Sequence, residues 1–464
     1  MLLFGDDPAA YFEGESYKAH NVPRAEIEAL QLSVARARFA TLGQRIVPLE
    51  VLAASQGIAE IEQLSDLAKL LFPQYFYKSY DLSLLDRGDY TGLAAWLQRL
   101  TLRPLGALKG RPIASLDEFF ALLDRECGVR LVHSSGTTGR LSLFPRGSAE
   151  WAAHLRNIRA QIPGWTGREA DAVGAPPFAV VWAGFTAGHS AVLESATIFR
   201  QCFARSPDLF FPTMPGTLSV DWHWFMMQLD RAKSTGAPQP PVSPYVLAQL
   251  DDMEARREQR EASLDRVLEA MRGPLFGQRI AIGGPPILVH QLAARGLAQG
   301  IEGVCGPGSF VLTFGGTKRQ TAASTLEQEV ARFAGPAQSI DNYGMTEMLG
   351  PAGACEHGHY HCQVTQVPFV FDLQSGALLP RTGRQTGRFG VFDVMAQGYW
   401  GGTVSADIVT ISWDRCACGR ETPIVIGPIN RTDDAEDALP RFAADDRAVT
   451  AALDALSGHV GAVH

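Results

Sequence analysis

Apolar residues recur at helical spacing through most of the first 127 residues. The spacing is clearest in residues 25–42, 93–100 and 116–123, where an apolar side chain returns every three or four positions. Helices of this kind carry one apolar stripe and pack it against another layer of the protein. We therefore predict an N-terminal helical layer over residues 1–127.

Between residues 128 and 365, short apolar runs alternate with helical patterns. The runs predict strands at residues 129–132, 178–182, 279–282, 310–314 and 339–343, and the helical patterns include residues 149–162 and 324–333. Strands that alternate with helices build largely parallel sheets covered by those helices. The predicted fold class is therefore α/β, with its core in residues 128–365.

The pattern changes after residue 365, where strands follow one another with short glycine-rich turns between them. Strands are predicted at residues 367–373, 387–395, 406–413 and 423–429. This spacing is typical of antiparallel sheets and predicts a small β-rich, barrel-like subdomain over residues 366–434. Residues 435–464 are predicted to form a short C-terminal helical tail.

Composition and charge narrow the functional classes. Hydrophobic residues make up 46% of the chain and charged residues 19%, the balance of an ordinary globular protein. The net charge is −8 and only six lysines occur, so the chain lacks the basic surface that nucleic acids require. Neither a basic N-terminal signal nor an apolar stretch long enough to cross a membrane is present. We expect a cytoplasmic protein with a small-molecule substrate and no nucleic-acid or membrane partner.

A cluster of hydroxyls and glycines, SSGTTG at residues 134–139, follows the first predicted strand of the α/β core. Backbone N–H groups in a glycine-rich turn, together with adjacent hydroxyls, suit the oxygens of a polyphosphate. The lysine-containing pattern of nucleotide-binding P-loops is absent, so the fold of P-loop enzymes is not implied. A solvated surface loop is the other interpretation of this segment taken alone.

Three further segments follow in a definite order: TFGGTK at residues 313–318, DNYGMTEM at 341–348 and ADIVTI at 406–411. Together with SSGTTG they resemble the core motifs of the adenylate-forming superfamily, which includes acyl-CoA synthetases, luciferases and peptide-synthetase adenylation domains. Within it the chain is most similar to phenylacetate-CoA ligases and to LuxE-like acyl-protein synthetases, the latter also through residues 70–101. The resemblance covers roughly residues 70–435 and implies a large adenylate-forming domain.

The resemblance implies that ATP is bound by residues of each motif. The hydroxyl loop would embrace the β- and γ-phosphates, the glycine pair would let the backbone approach the adenine, Tyr343 would stack on that base, and Asp407 would accept hydrogen bonds from the ribose. The implied ATP-binding residues are Ser134, Ser135, Gly136, Thr137, Thr138, Gly139, Gly315, Gly316, Tyr343, Gly344 and Asp407. Taken singly, Tyr343 could equally be a core aromatic residue and Asp407 a turn acid.

Three residues are implied in the reaction itself. Thr346 would donate to the α-phosphate or to the acid, and Glu347 would hold Mg²⁺, which prefers carboxylate and phosphate oxygens. Arg431 matches the arginine that the family carries near its hinge, in a looser form of the usual pattern. An exposed carboxylate at the start of a helix is the plainer interpretation of Glu347.

The implied activity is an ATP-dependent, AMP-forming ligase. A carboxylic acid would be activated as an acyl-adenylate with release of pyrophosphate, and then transferred to a thiol or amine acceptor, in a protein that could form a homodimer. Two alternatives stay open: a ligase that forms amide or N–N bonds in a biosynthetic cluster, and a non-catalytic nucleotide-binding homologue. The last lysine is Lys318, and only about 30 residues follow Asp434. The mobile C-terminal domain with its catalytic lysine is therefore expected to be truncated or absent.

Cysteine and histidine cluster late in the chain, in CEHGHYHC at residues 355–362 and CACGR at 416–420. Seven cysteines in a large chain without a secretion signal do not indicate a disulfide framework. Three thiolates and one imidazole could instead surround a tetrahedral Zn²⁺. The resemblance favours Cys355, His361, Cys416 and Cys418 as ligands of a structural zinc, with His357, His359 and Cys362 as competitors. Buried free cysteines and an acyl-accepting thiol are the other interpretations.

Overall fold

The computed structural model describes residues 2–134, 139–168, 171, 177–236, 238–313, 323–431 and 442–457. Its helices are α1 Leu2–Asp6, α2 Pro8–Tyr11, α3 Arg24–Leu42, α4 Val47–Ser55, α5 Leu82–Asp86, α6 Tyr90–Leu97, α7 Leu116–Cys127, α8 Ser148–Thr166, α9 Ala191–Ile198, α10 Val220–Thr235, α11 Pro244–Asp251, α12 Met253–Arg272, α13 Pro286–Ala298, α14 Ala323–Ala334 and α15 Asp446–Ser457.

Its strands are β1 Phe72–Pro73, β2 Val129–His133, β3 Leu143–Gly147, β4 Ala179–Ala187, β5 Phe210–Thr217, β6 Ile280–Gly284, β7 Phe310–Thr313, β8 Gln338–Ile340, β9 Asn342–Tyr343, β10 Ala352–Ala354, β11 Tyr360–His361, β12 Gln366–Phe371, β13 Arg384–Asp393, β14 Gly402–Ser412 and β15 Ile424–Arg431. The chain divides into a first compact unit, Met1–Asn157 with Met345–His464, and a second unit, Ile158–Gly344.

The second unit is built on a parallel sheet. Its strands lie in the order β5-β4-β6-β7-β8, and every neighbouring pair is parallel, which confirms the predicted α/β class. Residues of α12, α13 and α14 pack into one buried core with β4, β6 and β7, while Phe199 packs on Trp182 of β4. A strand covered on both faces is apolar at successive positions, as β4 is.

Strand β5 was not predicted from the sequence. It contains Pro212, Pro215 and Gly216, which lower strand propensity and remove backbone donors. The strand lies at the edge of the parallel sheet, where a proline can turn its missing N–H away from the neighbouring strand.

The first unit contains an antiparallel sheet in the order β12-β13-β14-β15-β11-β10. Strand β14 is long enough to take two further neighbours in succession: β1 pairs in parallel with its beginning at Thr403 and Val404, and β15 pairs with its end. The strands predicted after residue 365 are therefore confirmed. Helices α3, α6 and α7 lie at the predicted places in the same unit, and α15 packs against α4.

The strand predicted at residues 129–132 is confirmed as β2, but its expected place in the parallel sheet was wrong. The strand predicted at residues 129–132 was counted in the alternating α/β pattern, but β2 pairs antiparallel with β3, with Leu131 opposite Pro145. A parallel crossover needs a connection of a dozen or more residues, and residues 134–142 are too few. The hydroxyl loop therefore connects the two strands of a hairpin.

Among the described residues, no helix has the length and apolar character needed to cross a membrane.

His154 of α8 makes the stability of the first unit depend on pH. Its side chain is 3% exposed, and burial, with a contribution from the charge of Arg146, lowers its pKa to about 3. The folded protein therefore keeps His154 neutral at pH 5, whereas the unfolded chain protonates it below about 6.5. The stabilising effect is complete above the unfolded pKa and is lost as the pH falls.

We expect His154→Leu to remove this dependence. Between pH 7 and pH 5, protonation of His154 in the unfolded chain should lower the unfolding free energy of the wild-type protein by about 2 kcal/mol. The leucine variant should not show this part of the decrease. Equilibrium urea unfolding of both proteins at the two pH values measures the difference. An equal loss in both would show that His154 does not cause it.

Candidate functional site

The hydroxyl loop begins and ends in a closed hairpin base. The Ser134 N–H donates to the Ser142 carbonyl oxygen at 3.1 Å, and the Ser142 N–H donates to Ser134 Oγ at 3.1 Å. Gly139 has φ +78°, a conformation that favours glycine. Ser135, Gly136, Thr137 and Thr138 lie outside the described residues, so the structure locates the two ends of this loop.

Lys78 and Tyr80 contact the returning arm of the loop. Arg140 Nη1 lies 3.4 Å from the carbonyl oxygen of Lys78, and the Tyr80 hydroxyl donates to the Leu141 carbonyl oxygen at 3.0 Å. Lys78 is only 5% exposed. Lys78 is thus a buried residue whose backbone contacts the returning arm, a contact that the motifs did not predict.

Asp407 and Arg431 form an ion pair across two strands. They lie directly opposite each other on β14 and β15, and Arg431 Nε donates to Asp407 Oδ1 at 2.9 Å. The Asp407 side chain is 8% exposed, and that of Arg431 is 52% exposed. The buried carboxylate of Asp407 is therefore paired with a guanidinium that is half exposed to solvent. The separate motifs did not predict this ion pair.

Glu347 lies in the electrostatic field of this pair. Burial raises the pKa of its carboxyl, and the negative charge of Asp407 raises it further, while Arg431 and Arg146 act in the opposite direction. Three residues that the sequence assigned from separate motifs, Glu347, Asp407 and Arg431, thus share one neighbourhood in the first unit. Thr346 precedes Glu347 in the same turn and is partly exposed.

The second unit holds the remaining described residues of the predicted ATP site. Tyr343 lies in β9 and is 8% exposed, and Gly344 after it is exposed. Asn342 Nδ2 donates to the carbonyl oxygen of Thr313 at 2.9 Å, so β9 is tied to the end of β7. Gly315 and Gly316 follow that end and lie outside the described residues.

The side chains of Cys355, His361, Cys416 and Cys418 converge. Their donor atoms all lie within 4.8 Å of one another. Cys355 Sγ is 3.9 Å from Cys416 Sγ, and Cys418 Sγ is 3.2 Å from His361 Nε2. Sulfur ligands of a tetrahedral Zn²⁺ at about 2.3 Å are separated by about 3.8 Å, so the donor set and spacing fit such an ion.

Two tight turns present these cysteines. The Gly358 N–H donates to the Cys355 carbonyl oxygen and the Gly419 N–H to that of Cys416, and both glycines have positive φ. Of the competing residues, His359 Nδ1 lies 3.4 Å from Cys416 Sγ, at the margin of the cluster. Cys362 is buried, and burial raises the pKa of its thiol to about 12.

The Thr422 hydroxyl lies next to Nδ1 of His361, the ring nitrogen opposite the one that faces Cys418. Thr422 Oγ1 lies 3.0 Å from His361 Nδ1 and 2.9 Å from His20 Nδ1. The Glu421 N–H also donates to the His20 carbonyl oxygen at 2.7 Å. The N-terminal segment around His20 is thereby attached to the strand that follows the second cysteine turn.

No protein-family model matches this chain, and neither does any curated protein. Among solved structures, it is similar to 2-hydroxyisobutyryl-CoA ligase in an open conformation in complex with 2-HIB-AMP and CoA, with 15% identity and a TM-score of 0.54 over 90% of this chain and 77% of that one. The same ligase in the thioesterification state matches with 15% identity and a TM-score of 0.51 over 90% and 70% of the two chains. The chain therefore has the fold of this ligase.

The sequence motifs did not predict several residues that support the candidate site. Arg146, Asp393 and Thr422 lie outside the motifs. Arg146 contacts the backbone of Thr346, Asp393 contacts the backbone of Leu349 directly after that motif, and Thr422 contacts His361. For Arg146 the sequence contains one indication of a special role, because it is a charged residue within the apolar strand sequence LSLFPR. For Asp393 and Thr422 the sequence contains no such indication, because an aspartate at a strand end and a threonine after a turn are common.

Proposed function

We propose that this chain activates a carboxylic acid with ATP, forming an acyl-adenylate and pyrophosphate, and then transfers the acyl group to a thiol. The observation that carries the proposal is the gathering of Glu347, Asp407 and Arg431 in one neighbourhood on a fold similar to that of an acyl-CoA ligase. These are the residues that the motifs assign to Mg²⁺, to the ribose and to the hinge. The finer likeness to phenylacetate-CoA ligases or LuxE-like proteins stays a prediction.

In the proposed reaction a carboxylate oxygen attacks the α-phosphorus of ATP, the bond to the β-phosphate oxygen breaks, and pyrophosphate leaves. Thr346 would donate to the α-phosphate or to the acid, Glu347 would hold Mg²⁺, and Asp407 would accept hydrogen bonds from the ribose hydroxyls. Tyr343 and Gly344 would contribute to adenine binding, and the hydroxyl loop to pyrophosphate binding. Positioning and charge stabilisation would supply most of the rate enhancement.

The acceptor is proposed to be an external thiol. An acyl-accepting cysteine of the chain itself would have to be outside the Cys355, Cys416 and Cys418 cluster, because a metal-bound thiolate is a poor free nucleophile. Burial raises the pKa values of Cys202, Cys305 and Cys362 to about 12, which disfavours their thiolates at neutral pH. Cys127, the remaining cysteine, is half-buried, and burial raises the pKa of its thiol as well.

Exchange of labelled pyrophosphate into ATP tests the activation step. The wild-type protein would be assayed with Mg²⁺ and a panel of short aliphatic, hydroxy, aryl and amino acids. Exchange that depends on one class of acid is the expected result. ATP binding without exchange for any acid would instead favour a non-catalytic nucleotide-binding protein.

We also propose that Cys355, His361, Cys416 and Cys418 hold a structural zinc ion. Three thiolates and one imidazole form a closed ligand set with no position left for substrate, which is the pattern of structural sites. The ion would join the turns at Cys355 and Cys416 and so stabilise the end of the antiparallel sheet. Elemental analysis of protein purified without added metal is expected to give about one zinc per chain.

Thr422 is a positioning residue for this proposed site. If His361 binds the ion through Nε2, its Nδ1 carries the proton and donates to Thr422 Oγ1, and the Thr422 hydroxyl then donates to His20 Nδ1. Thr422→Val would break both hydrogen bonds while conserving side-chain shape. Zinc affinity is expected to fall about 10- to 100-fold, measured by competition with a chromophoric chelator.

Thr422→Ser should retain most of the affinity, because serine keeps the hydroxyl. Thr410→Val is the matched control: Thr410 lies on β14, where its hydroxyl pairs with that of Thr386 at an exposed position. Equal zinc affinities for Thr422→Val and Thr410→Val would contradict the positioning role.

A further inference from the structure

The segment Met345–Pro351, here called the 345–351 loop, has its backbone held by side chains from other parts of the first unit. It carries Thr346 and Glu347. Five of its backbone groups are bound in this way: the carbonyl oxygens of Thr346 and Met348 by Arg146, the Leu349 N–H by Asp393, the Gly350 carbonyl oxygen by Gln366, and the Pro351 carbonyl oxygen by Gln363.

The four side chains that bind the loop are all buried. Arg146 and Gln363 are 4% exposed, Gln366 is 2% exposed and Asp393 is 1% exposed. Buried polar groups are costly unless their hydrogen bonds are made, so each of these contacts resists opening. A loop bound at nearly every residue by buried partners has one conformation, and the side chains that it presents inherit that order.

Arg146 makes the central contact. Its Nη2 donates to the Thr346 carbonyl oxygen at 2.5 Å and to the Met348 carbonyl oxygen at 2.9 Å. Arg146 therefore binds the backbone of the residues directly before and after Glu347. Arg146 belongs to β3, whose partner β2 ends where the hydroxyl loop begins. One guanidinium thus links the strands that carry the predicted phosphate loop to the turn that carries Thr346 and Glu347.

Asp393 acts from the other side of the loop. Its Oδ2 accepts from the Leu349 N–H at 2.8 Å and its Oδ1 accepts from the Met395 N–H at 3.0 Å. Both carboxylate oxygens are therefore used as acceptors. An amide has only one oxygen, so asparagine at this position would turn an NH₂ group toward one of the two N–H donors.

We propose that Arg146 and Asp393 are positioning residues that set the placement of Thr346 and Glu347 in the activation step. Neither touches the reacting groups in this arrangement; they act through the backbone of the 345–351 loop. The inference rests on the proposed function. A displacement of about 1 Å in a reacting group can lower a rate by about 100-fold, so the loss of one contact is expected to have a large kinetic effect.

The test compares the wild-type protein with Arg146→Met, Asp393→Asn and Arg130→Met. Arg130 is the matched control, because it lies opposite Arg146 in the β2–β3 pair but packs over the ring of Trp151. For Arg146→Met and Asp393→Asn, we expect the kcat of ATP–pyrophosphate exchange to fall about 10- to 100-fold, with a KM for ATP within about threefold of wild type. Arg130→Met should resemble wild type.

Hydrogen exchange supplies a readout that needs no activity. The Leu349 amide should exchange at least about tenfold faster in Asp393→Asn than in wild type, whereas amides of β12 should be unchanged. Asp393→Asn keeps the side-chain size, so it serves if Arg146→Met does not fold. Unchanged kcat in a folded variant, or unchanged exchange at Leu349, would overturn the inference. Absence of activity in the wild-type protein would overturn the proposed function, and the hydrogen-exchange result would still decide whether Asp393 holds the loop.

Discussion

Glu347→Gln is expected to lower the rate of ATP–pyrophosphate exchange by about 100-fold or more, without loss of stability. The carboxylate is the proposed ligand of Mg²⁺, and an amide oxygen is a weaker ligand for a hard dication. Its loss removes charge stabilisation at the phosphates as well as metal binding. The variant should need higher Mg²⁺ concentrations for its residual activity.

The same substitution should leave the stability unchanged or raise it. The raised pKa of Glu347 means that its charged form is disfavoured at this position by burial and by Asp407. Glutamine has the same size and no charge, so it relieves that cost. Thermal unfolding of the variant would therefore occur at or above the wild-type temperature, which separates a catalytic loss from a folding defect.

Glu60→Gln is the matched control for this experiment. Glu60 is an exposed glutamate of the same unit and lies outside every motif. It should exchange pyrophosphate as fast as wild type. Wild-type activity in Glu347→Gln, at wild-type Mg²⁺ dependence, would exclude Glu347 as the metal ligand.

Cys416→Ser is expected to abolish zinc binding and to lower the thermal unfolding temperature by about 5 °C. Cys416 Sγ lies at the centre of the cluster, close to Cys355 and to His359. A serine hydroxyl does not replace a thiolate as a zinc ligand, so the turns at Cys355 and Cys416 would lose the link between them. At about 2.1 cal/mol/K per residue, the unfolding entropy of 464 residues is about 1 kcal/mol/K, so a loss of about 5 kcal/mol lowers the unfolding temperature by about 5 °C.

Cys127→Ser controls for the removal of a thiol. Cys127 ends α7, is half-buried and has no part in the cluster. It should keep about one zinc per chain and an unfolding temperature close to wild type. Cys416→Ser protein with full zinc content, or wild-type protein that folds fully in the presence of a strong chelator, would contradict the structural role.

Much of the candidate site could be predicted because it is encoded in short, contiguous patterns. The hydroxyl loop, Glu347, Asp407 and the cysteine pairs each stand in a segment whose composition suggests its chemistry. The identity of the fourth zinc ligand was less secure, since three histidines occur within five residues. The structure supports His361 in the proposed site, because its Nε2 lies 3.2 Å from Cys418 Sγ and it joins the three cysteines in one cluster.

Other features required the folded chain. The Asp407–Arg431 pair depends on the register of β14 against β15, and a shift by one residue would turn one of the two side chains to the other face. The same holds for the Arg146 contact, which joins residues 200 positions apart in the chain. Contacts between segments that are distant in the chain follow from packing, and no local sequence pattern predicts them.

By itself the sequence determined the α/β class, the places of several helices and of most of the longer strands, and the motif residues, because periodicity and local residue type carry this information. Only the tertiary structure decided that β2 forms a hairpin with β3 and that Asp407 pairs with Arg431. It also decided that Arg146 and Asp393 hydrogen-bond to the backbone of the 345–351 loop. These outcomes depend on strand register and on the burial of polar groups. Both are settled only when distant segments pack together, since a buried donor or acceptor must find its partner wherever the fold brings one.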